Sequence, residues 1–370
     1  MKLKIPENIA SIIPYPPGKP LEELEREYGI SDSIKLASNE NGWGPSPKAV
    51  EAIQQCLRGL HRYPDGSSFY LTEALAGWLG AGMDEIVLGN GSNEVIEFLV
   101  KAFVCTGDEV ISSHPSFLMY QKFVQVRGGH NRVVPLKEMR HDLGAIISTV
   151  NEKTRLIFLD NPNNPCGTFF STREFEDFLE GLPESVIVVL DEAYVDFVKA
   201  EQRIDILSYI RKSEGIPAVV ALRTFSKAFG LAGLRVGFGL MHRDIADVLH
   251  RVRQPFNINL PAQAGALAAL SDDVHYHATL NKTRLGRKWL QEEVKKLGCV
   301  PYDSQTNFFL IDVKGDATTL YESMLRKGVI VRSMAAYGYP DFIRITVGTR
   351  DENERFVTAL ADSLSELGYV

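Results

Sequence analysis

The stretch "RTFSKAFGLAGLRVGFG", residues 223–239, sets a lone lysine, Lys227, among small and apolar residues, with hydroxyls at Thr224 and Ser226 before it and Arg235 after it. An amine crowded by Ala228, Phe229 and Gly230 and close to other cations is disfavoured as ammonium, which lowers its pKa and frees it as a nucleophile toward carbonyls. Ser226, Thr224 and Arg235 offer donors to a phosphate beside that amine. Taken alone, the stretch also allows a plain surface lysine in a turn. The flanking runs "VVALRTFS" and "RVGFGL" are nearly continuous in apolar residues, as strands of a sheet covered on both faces must be, because neither face meets water.

The same texture extends outward. "EIVLGN" leads into "SNEVIEFLVKAF", where Val95, Ile96, Leu99, Val100 and Phe103 fall on one helical face, and "EVISS", "RLIFLD" and "VIVVLDEAY" follow. Short β-branched runs alternating with amphipathic helices predict an α/β fold: a large domain over residues 36–260 with a mostly parallel central sheet flanked by helices. After "NINLPAQAGALAAL" come a charged amphipathic segment, "NKTRLGRKWLQEEVKKLG", then "TNFFLIDV", "TTLYESMLRKG", "VIVRS", "FIRITVG" and "DENERFVTALADSLSELG". These predict a smaller α+β domain over residues 261–370. The proline-rich arm, residues 1–35, is expected to pack on the small domain or on a partner subunit.

Composition excludes several classes. Hydrophobic residues at 45% and charged residues at 24% are ordinary for a globular chain and exclude a disordered or fibrous one. A net charge of −7 without a basic stretch argues against nucleic acid. Four widely spaced cysteines without C-x-x-C suggest neither a disulfide framework nor a thiolate metal site, and a reducing, cytoplasmic setting is expected. No apolar run reaches the ~18 residues of a membrane span. The eight histidines form no H-E-x-x-H, so no metal is expected.

In an open α/β sheet, ligands sit beyond the carboxyl ends of the strands. Four polar clusters lie there: "GNGSNE", "DNPNNPCG", "DEAY" and "RTFSKAFG". In the first, Gly89 and Gly91 permit a tight turn, and Ser92-Asn93-Glu94 opens a helix whose free N–H groups suit a phosphate, or serve simply as a helix start. Asp191 closes "SVIVVLDEAY", and a carboxylate at the end of a buried strand needs a cation or several donors. A protonated pyridine nitrogen, a salt bridge or a helix cap would each answer.

Together these residues resemble the fold-type I aminotransferases that depend on pyridoxal 5′-phosphate and, within them, the histidinol-phosphate aminotransferases. "KLASNENGWGPSP", "RYPD", "GNGSNE", "NPNNPCGT", "DEAYVDF", "RTFSKAFGLAGLRVGFG", "PFNIN", "SQTNFFL" and "RITVGT" occur in the family's order across nearly the whole chain. The resemblance implies that Lys227 binds the cofactor covalently, that Asp191 pairs with its ring nitrogen, and that Tyr194 and Asn164 hydrogen-bond its phenolic oxygen. Ser226, Arg235, Thr224 and the N–H groups of Gly91, Ser92 and Asn93 would cradle the phosphate. Tyr63 would reach that phosphate from the neighbouring subunit of a homodimer. Arg332 and Arg344 would grip the substrate's anionic group, with Tyr15 and Asn39 near the substrate.

Two departures stand out. Phe117 replaces the tyrosine usual over the ring, keeping the stacking and losing a hydroxyl, and Cys166 replaces the threonine of N-P-T-G. The implied activity is a transaminase of histidine biosynthesis acting on histidinol phosphate and 2-oxoglutarate. Aromatic amino acid transamination and phosphothreonine decarboxylation are alternatives on the same scaffold. A cofactor-binding regulator without turnover is disfavoured by the complete set Asn164, Asp191, Tyr194, Lys227 and Arg235.

Overall fold

The computed structural model describes residues 3–14, 26–27, 29–30, 32–212 and 214–369. Its strands are β1 (Ile34–Lys35), β2 (Ile86–Gly89), β3 (Glu109–His114), β4 (His130–Pro135), β5 (Thr154–Asp160), β6 (Ile187–Asp191), β7 (Ala218–Thr224), β8 (Gly237–Met241), β9 (Val300–Pro301), β10 (Phe308–Asp312), β11 (Val329–Ile330), β12 (Arg332–Ser333) and β13 (Phe342–Thr346). Seven of them form the main sheet in the order β2-β8-β7-β6-β5-β3-β4, parallel except for β8, which runs antiparallel to both neighbours. This is the α/β architecture that the apolar runs predict.

Alternation along the central strands separates two cores. Ile157, Leu159, Val188, Leu190, Val219 and Ala221 face one layer, which is closed by the helices Pro47–Cys56, Phe69–Leu79, Thr172–Glu180 and Leu260–Leu270. Leu156, Phe158, Val189, Val220 and Leu222 face the other, closed by Ser92–Phe103, Met119–Arg127 and Arg243–Val252. Both faces being dry explains why the strands read as unbroken apolar runs. Only β4 lies at an edge with most of its residues exposed or half-exposed, and its sequence carries no such run.

The second unit has its own core around an antiparallel sheet, β12-β13-β10-β9, packed by the helices Asp273–Lys296, Ala317–Arg326 and Arg350–Leu367. The last of these starts at a capping box, Thr349 with Glu352, and stops at Gly368 in the left-handed conformation.

Two contacts bear on how the chain is divided. Within the arm 1–35, the described turn Glu7–Ala10 lies on the large unit: Asn8 Nδ2 donates to the carbonyls of Gln125 and Val126, both at 3.1 Å. These carbonyls lie in the last turn of the helix Met119–Arg127, where that of Gln125 also accepts the Gly128 N–H at 3.0 Å. Among the described residues, the arm's end joins the small unit, where β1 pairs in parallel with β11. The helix Leu260–Leu270, expected to open the small domain at residue 261, instead buries Ala262, Ala266 and Ala269 in the large core, its small side chains packing closely against Pro47–Cys56.

Candidate active site

The carboxyl ends of β5, β6 and β7, the turn after β2, and the strands β12 and β13 of the second unit enclose a cavity of about 320 Å³, within the range of small-molecule sites. The motifs that lie far apart in sequence are thus neighbours in space.

One end of the cavity is built for an anion. Gly91, at φ 76°, turns β2 into the helix Ser92–Phe103, which begins without a side-chain cap and leaves its first N–H groups open. A Cβ on Gly91 would lie 2.5 Å from Nη2 of Arg235. Arg235, itself at φ 56°, donates from Nη1 to Ser226 Oγ at 3.3 Å, and the Ser226 N–H donates to Thr224 Oγ1 at 3.1 Å. Asn93 Oδ1 is buried and has no hydrogen-bond partner among the described residues. The donors of Arg235 and of the helix start therefore border a gap that a side chain at position 91 would fill.

The floor carries Asp191, at the end of β6. Its Oδ2 accepts from Tyr120 OH at 2.7 Å and its Oδ1 from the Ala193 N–H at 3.0 Å. Burial, helped by the neighbouring charges of Asp160 and Glu192, nonetheless pushes this carboxyl up to about 6. A cation beside it would bring it back down. Tyr120 is fixed by stacking on Phe158 with centroids 4.7 Å apart, and Phe117 meets Tyr120 edge-on at 5.5 Å.

Tyr194 OH accepts from Asn39 Nδ2 at 2.8 Å, and burial raises the phenol to about 12. Asn39 sits at φ 55°, a conformation that asparagine tolerates better than most residues. It is held there by Thr346, whose Oγ1 accepts the Asn39 N–H at 2.9 Å.

Lys227 lies between the two ends. Its Nζ is 5.7 Å from the centroid of the Tyr194 ring and donates to the Ser38 carbonyl at 3.4 Å. Burial first, then the charges of Arg344 and Arg235, bring the amine down to about 8 against the opposing pull of Glu40 and Asp191. From the second unit, Arg344 donates from Nη1 to Asn164 Oδ1 at 2.5 Å and from Nη2 to the Ala37 carbonyl at 2.8 Å, with its guanidinium 5.1 Å from the Phe308 ring centroid. Arg332 is its register partner across β12 and β13, and both line the cavity.

The cavity therefore gathers Asn39, Ser92, Asn93, Phe117, Asn164 and Asp191 with Tyr194, Thr224, Ser226, Lys227, Arg235, Arg332 and Arg344. Tyr63 is elsewhere, 82% exposed and stacked on Phe256 at 4.8 Å. Tyr15 lies outside the described residues. Cys166 is buried against Leu310 and Met334 rather than lining the cavity, and burial raises its thiol well above the ordinary range. The sequence reading missed Tyr120, Asp160, Ser38, Glu40 and Tyr337, which also line the site. A phosphorylated pyridine aldehyde fits this arrangement, with donors for its phosphate, a carboxylate for its ring nitrogen and an amine of lowered pKa for its aldehyde.

Comparison with known proteins agrees with this geometry. Residues 31–360 match the family described as aminotransferase class I and II. A histidinol-phosphate aminotransferase of Desulfotalea psychrophila is 66% identical over 370 residues, covering 100% of this chain and 98% of its own. That of Moorella thermoacetica is 44% identical over 362 residues, covering 98% and 93%. The crystal structure of histidinol-phosphate aminotransferase from Sinorhizobium meliloti, in complex with pyridoxal 5′-phosphate, superposes with a TM-score of 0.91 at 29% identity, covering 99% of each chain.

Proposed function

The chain belongs to the class I and II aminotransferases, and from that premise we propose that it uses pyridoxal 5′-phosphate to move an amino group between histidinol phosphate and 2-oxoglutarate. The observation that carries this reading is the position of Lys227, a buried amine brought down to about 8, between a carboxylate floor and an anion cradle and below two substrate-facing arginines.

When bound, the cofactor supplies an aldehyde that links to amines and a ring that accepts an electron pair. The protein does the rest. Asp191 holds a proton on the ring nitrogen, and Tyr120 keeps its carboxylate aimed there. Tyr194 and Asn164 meet the phenolic oxygen, and Phe117 covers the ring face. Thr224, Ser226, Arg235 and the N–H groups at Gly91, Ser92 and Asn93 hold the phosphate. Lys227 would hold the aldehyde, and its amine, whose pKa lies near working pH, would take the proton from the substrate α-carbon. Arg332 and Arg344 present guanidinium forks that suit phosphate and carboxylate alike, so one pocket can serve both substrates in turn.

The same reading makes the protein a homodimer, with Tyr63 of one subunit completing the phosphate site of the other. Leu57, Leu60, Tyr63, Phe69 and Tyr70 are all exposed along residues 57–70, apolar side chains that a partner subunit would cover. It also sets the chain in a reducing, cytoplasmic compartment. Cys56, Cys105, Cys166 and Cys299 all carry free thiols.

The test is a half-reaction of the cofactor-loaded protein with histidinol phosphate, phenylalanine and phosphothreonine in parallel, followed by the change in cofactor absorbance. Histidinol phosphate should convert the cofactor fastest. Fast conversion by phenylalanine with none by histidinol phosphate would replace this reading with an aromatic aminotransferase, and loss of carbon dioxide from phosphothreonine would replace it with a decarboxylase.

A further inference from the structure

Asp160 closes β5 as Asp191 closes β6. The two are register partners, both buried, and both line the cavity. The reaction outlined above gives Asp191 a task and Asp160 none. A second buried carboxylate beside the first is costly unless donors and a counter-charge meet it, and one of its contacts leads, through Asn164, to Arg344.

His141 lies behind Asp160. Its Nε2 is 3.2 Å from Asp160 Oδ1 and 3.0 Å from the Asp160 carbonyl oxygen, and the two side chains are only 3% and 4% exposed. Both neighbours of Nε2 are acceptors, so that nitrogen carries a proton. Nδ1 faces Ser113 Oγ at 2.7 Å, a hydroxyl that can donate or accept. On the cavity side, Oδ1 accepts from Asn163 Nδ2 at 3.1 Å and Oδ2 accepts the Asn164 N–H at 2.8 Å. Asn164 in turn presents its Oδ1 to Arg344 at 2.5 Å. A continuous chain of hydrogen bonds thus runs Ser113, His141, Asp160, Asn164, Arg344, from the back of the sheet to the substrate side of the cavity.

We propose that Asp160, clamped by His141, is a positioning residue that fixes the Asn163–Asn164 turn and, through Asn164, aims Arg344 at the carboxylate of glutamate, the amino acid paired with 2-oxoglutarate in the reaction. The inference rests on the reading in which Arg344 grips that carboxylate. Three side-chain or backbone N–H groups converge on the two oxygens of Asp160, an arrangement that a carboxylate satisfies and an amide cannot. In Asp160→Asn one donor must face an NH₂ group, and an unmatched buried donor displaces its neighbour or loses its bond. Arg344 then keeps its tie to Ala37 and loses the tie that orients Nη1, so substrate binding must order the guanidinium afresh.

The experiment uses the cofactor-loaded protein and L-glutamate, reading the rate of cofactor conversion against glutamate concentration for the wild type, Asp160→Asn, His141→Ala and His141→Gln. The expected result is a half-saturating concentration raised about tenfold in Asp160→Asn and in His141→Ala, with the limiting rate changed by less than about threefold. His141→Gln, whose amide nitrogen can occupy the place of Nε2, should recover to within about threefold of the wild type. Should Asp160→Asn not fold, the two His141 variants carry the same test.

A half-saturating concentration equal to that of the wild type in Asp160→Asn or His141→Ala would overturn the inference, as would a loss confined to the limiting rate, or a His141→Gln variant no better than His141→Ala. Wild-type protein that binds the cofactor but does not respond to glutamate would overturn both this inference and the reading beneath it. A wild type that responds while the variants match it overturns this inference alone.

Discussion

Lys227 and Asp191 are perturbed in opposite senses by one cause. Burial penalises the charged form of each, bringing the amine down to about 8 and the carboxyl up to about 6. For Asp191 the consequence can be measured in the cofactor-free protein. With a folded pKa near 6 against 3.8 unfolded, the native state binds the extra proton between those values. The stability this contributes is fully present below about pH 3.8 and is lost as pH rises through about 6. The full span is worth at most about 3 kcal/mol. Asp191→Asn has no such proton, so its melting temperature relative to the wild type should move upward as pH rises from 4 to 7. A pH-independent difference would mean that Asp191 is not perturbed in this sense. Both residues were legible in the sequence because a charge at the end of an apolar run, or inside a small-residue turn, declares that it needs a partner. Asp160 closes "RLIFLD" by the same logic, but its partner His141, nineteen residues away, reaches it only in the folded chain. Tyr120 could not have been read, since its hydroxyl meets Asp191 across 71 residues of sequence and no local pattern marks it.

At the scale of elements, what the sequence reveals follows from what each strand touches. Strands β5, β6 and β7 are dry on both faces and read as apolar runs, whereas β4 is wet at the sheet's edge and does not. Strand direction leaves no trace in such runs, so "RVGFGL" predicted a strand but not that β8 would run against both neighbours. "VIVRS" reads as one strand and is divided in space: Val329–Ile330 pairs with β1, and Arg332–Ser333 with β13. That division brings Arg332 opposite Arg344. The alternation around Arg344 was the stronger signal, for Ile343 and Ile345 enter the small core while Arg344 turns to the cavity. The alanines of Leu260–Leu270 carry no periodic signal of a partner, which is why their place in the large core emerged only from the packing.

At the scale of the molecule, the cavity lies between two cores and each supplies what the other lacks: cofactor donors from the large sheet, substrate arginines from the small one. The exposed stack of Tyr63 on Phe256 is the part a single chain leaves unexplained. Sedimentation at micromolar concentration should therefore give twice the 41.2 kDa chain mass, and Tyr63→Asp should lower it toward one. A wild type that sediments as a single chain would contradict the shared site.

Beneath all of this stands the covalent capture of the cofactor by one amine. Borohydride reduction of the pyridoxal 5′-phosphate-loaded protein, followed by digestion and mass measurement, should place a single pyridoxyl group on the peptide bearing Lys227, and Lys227→Ala should carry none. A label on another lysine, or full labelling of Lys227→Ala, would contradict the account.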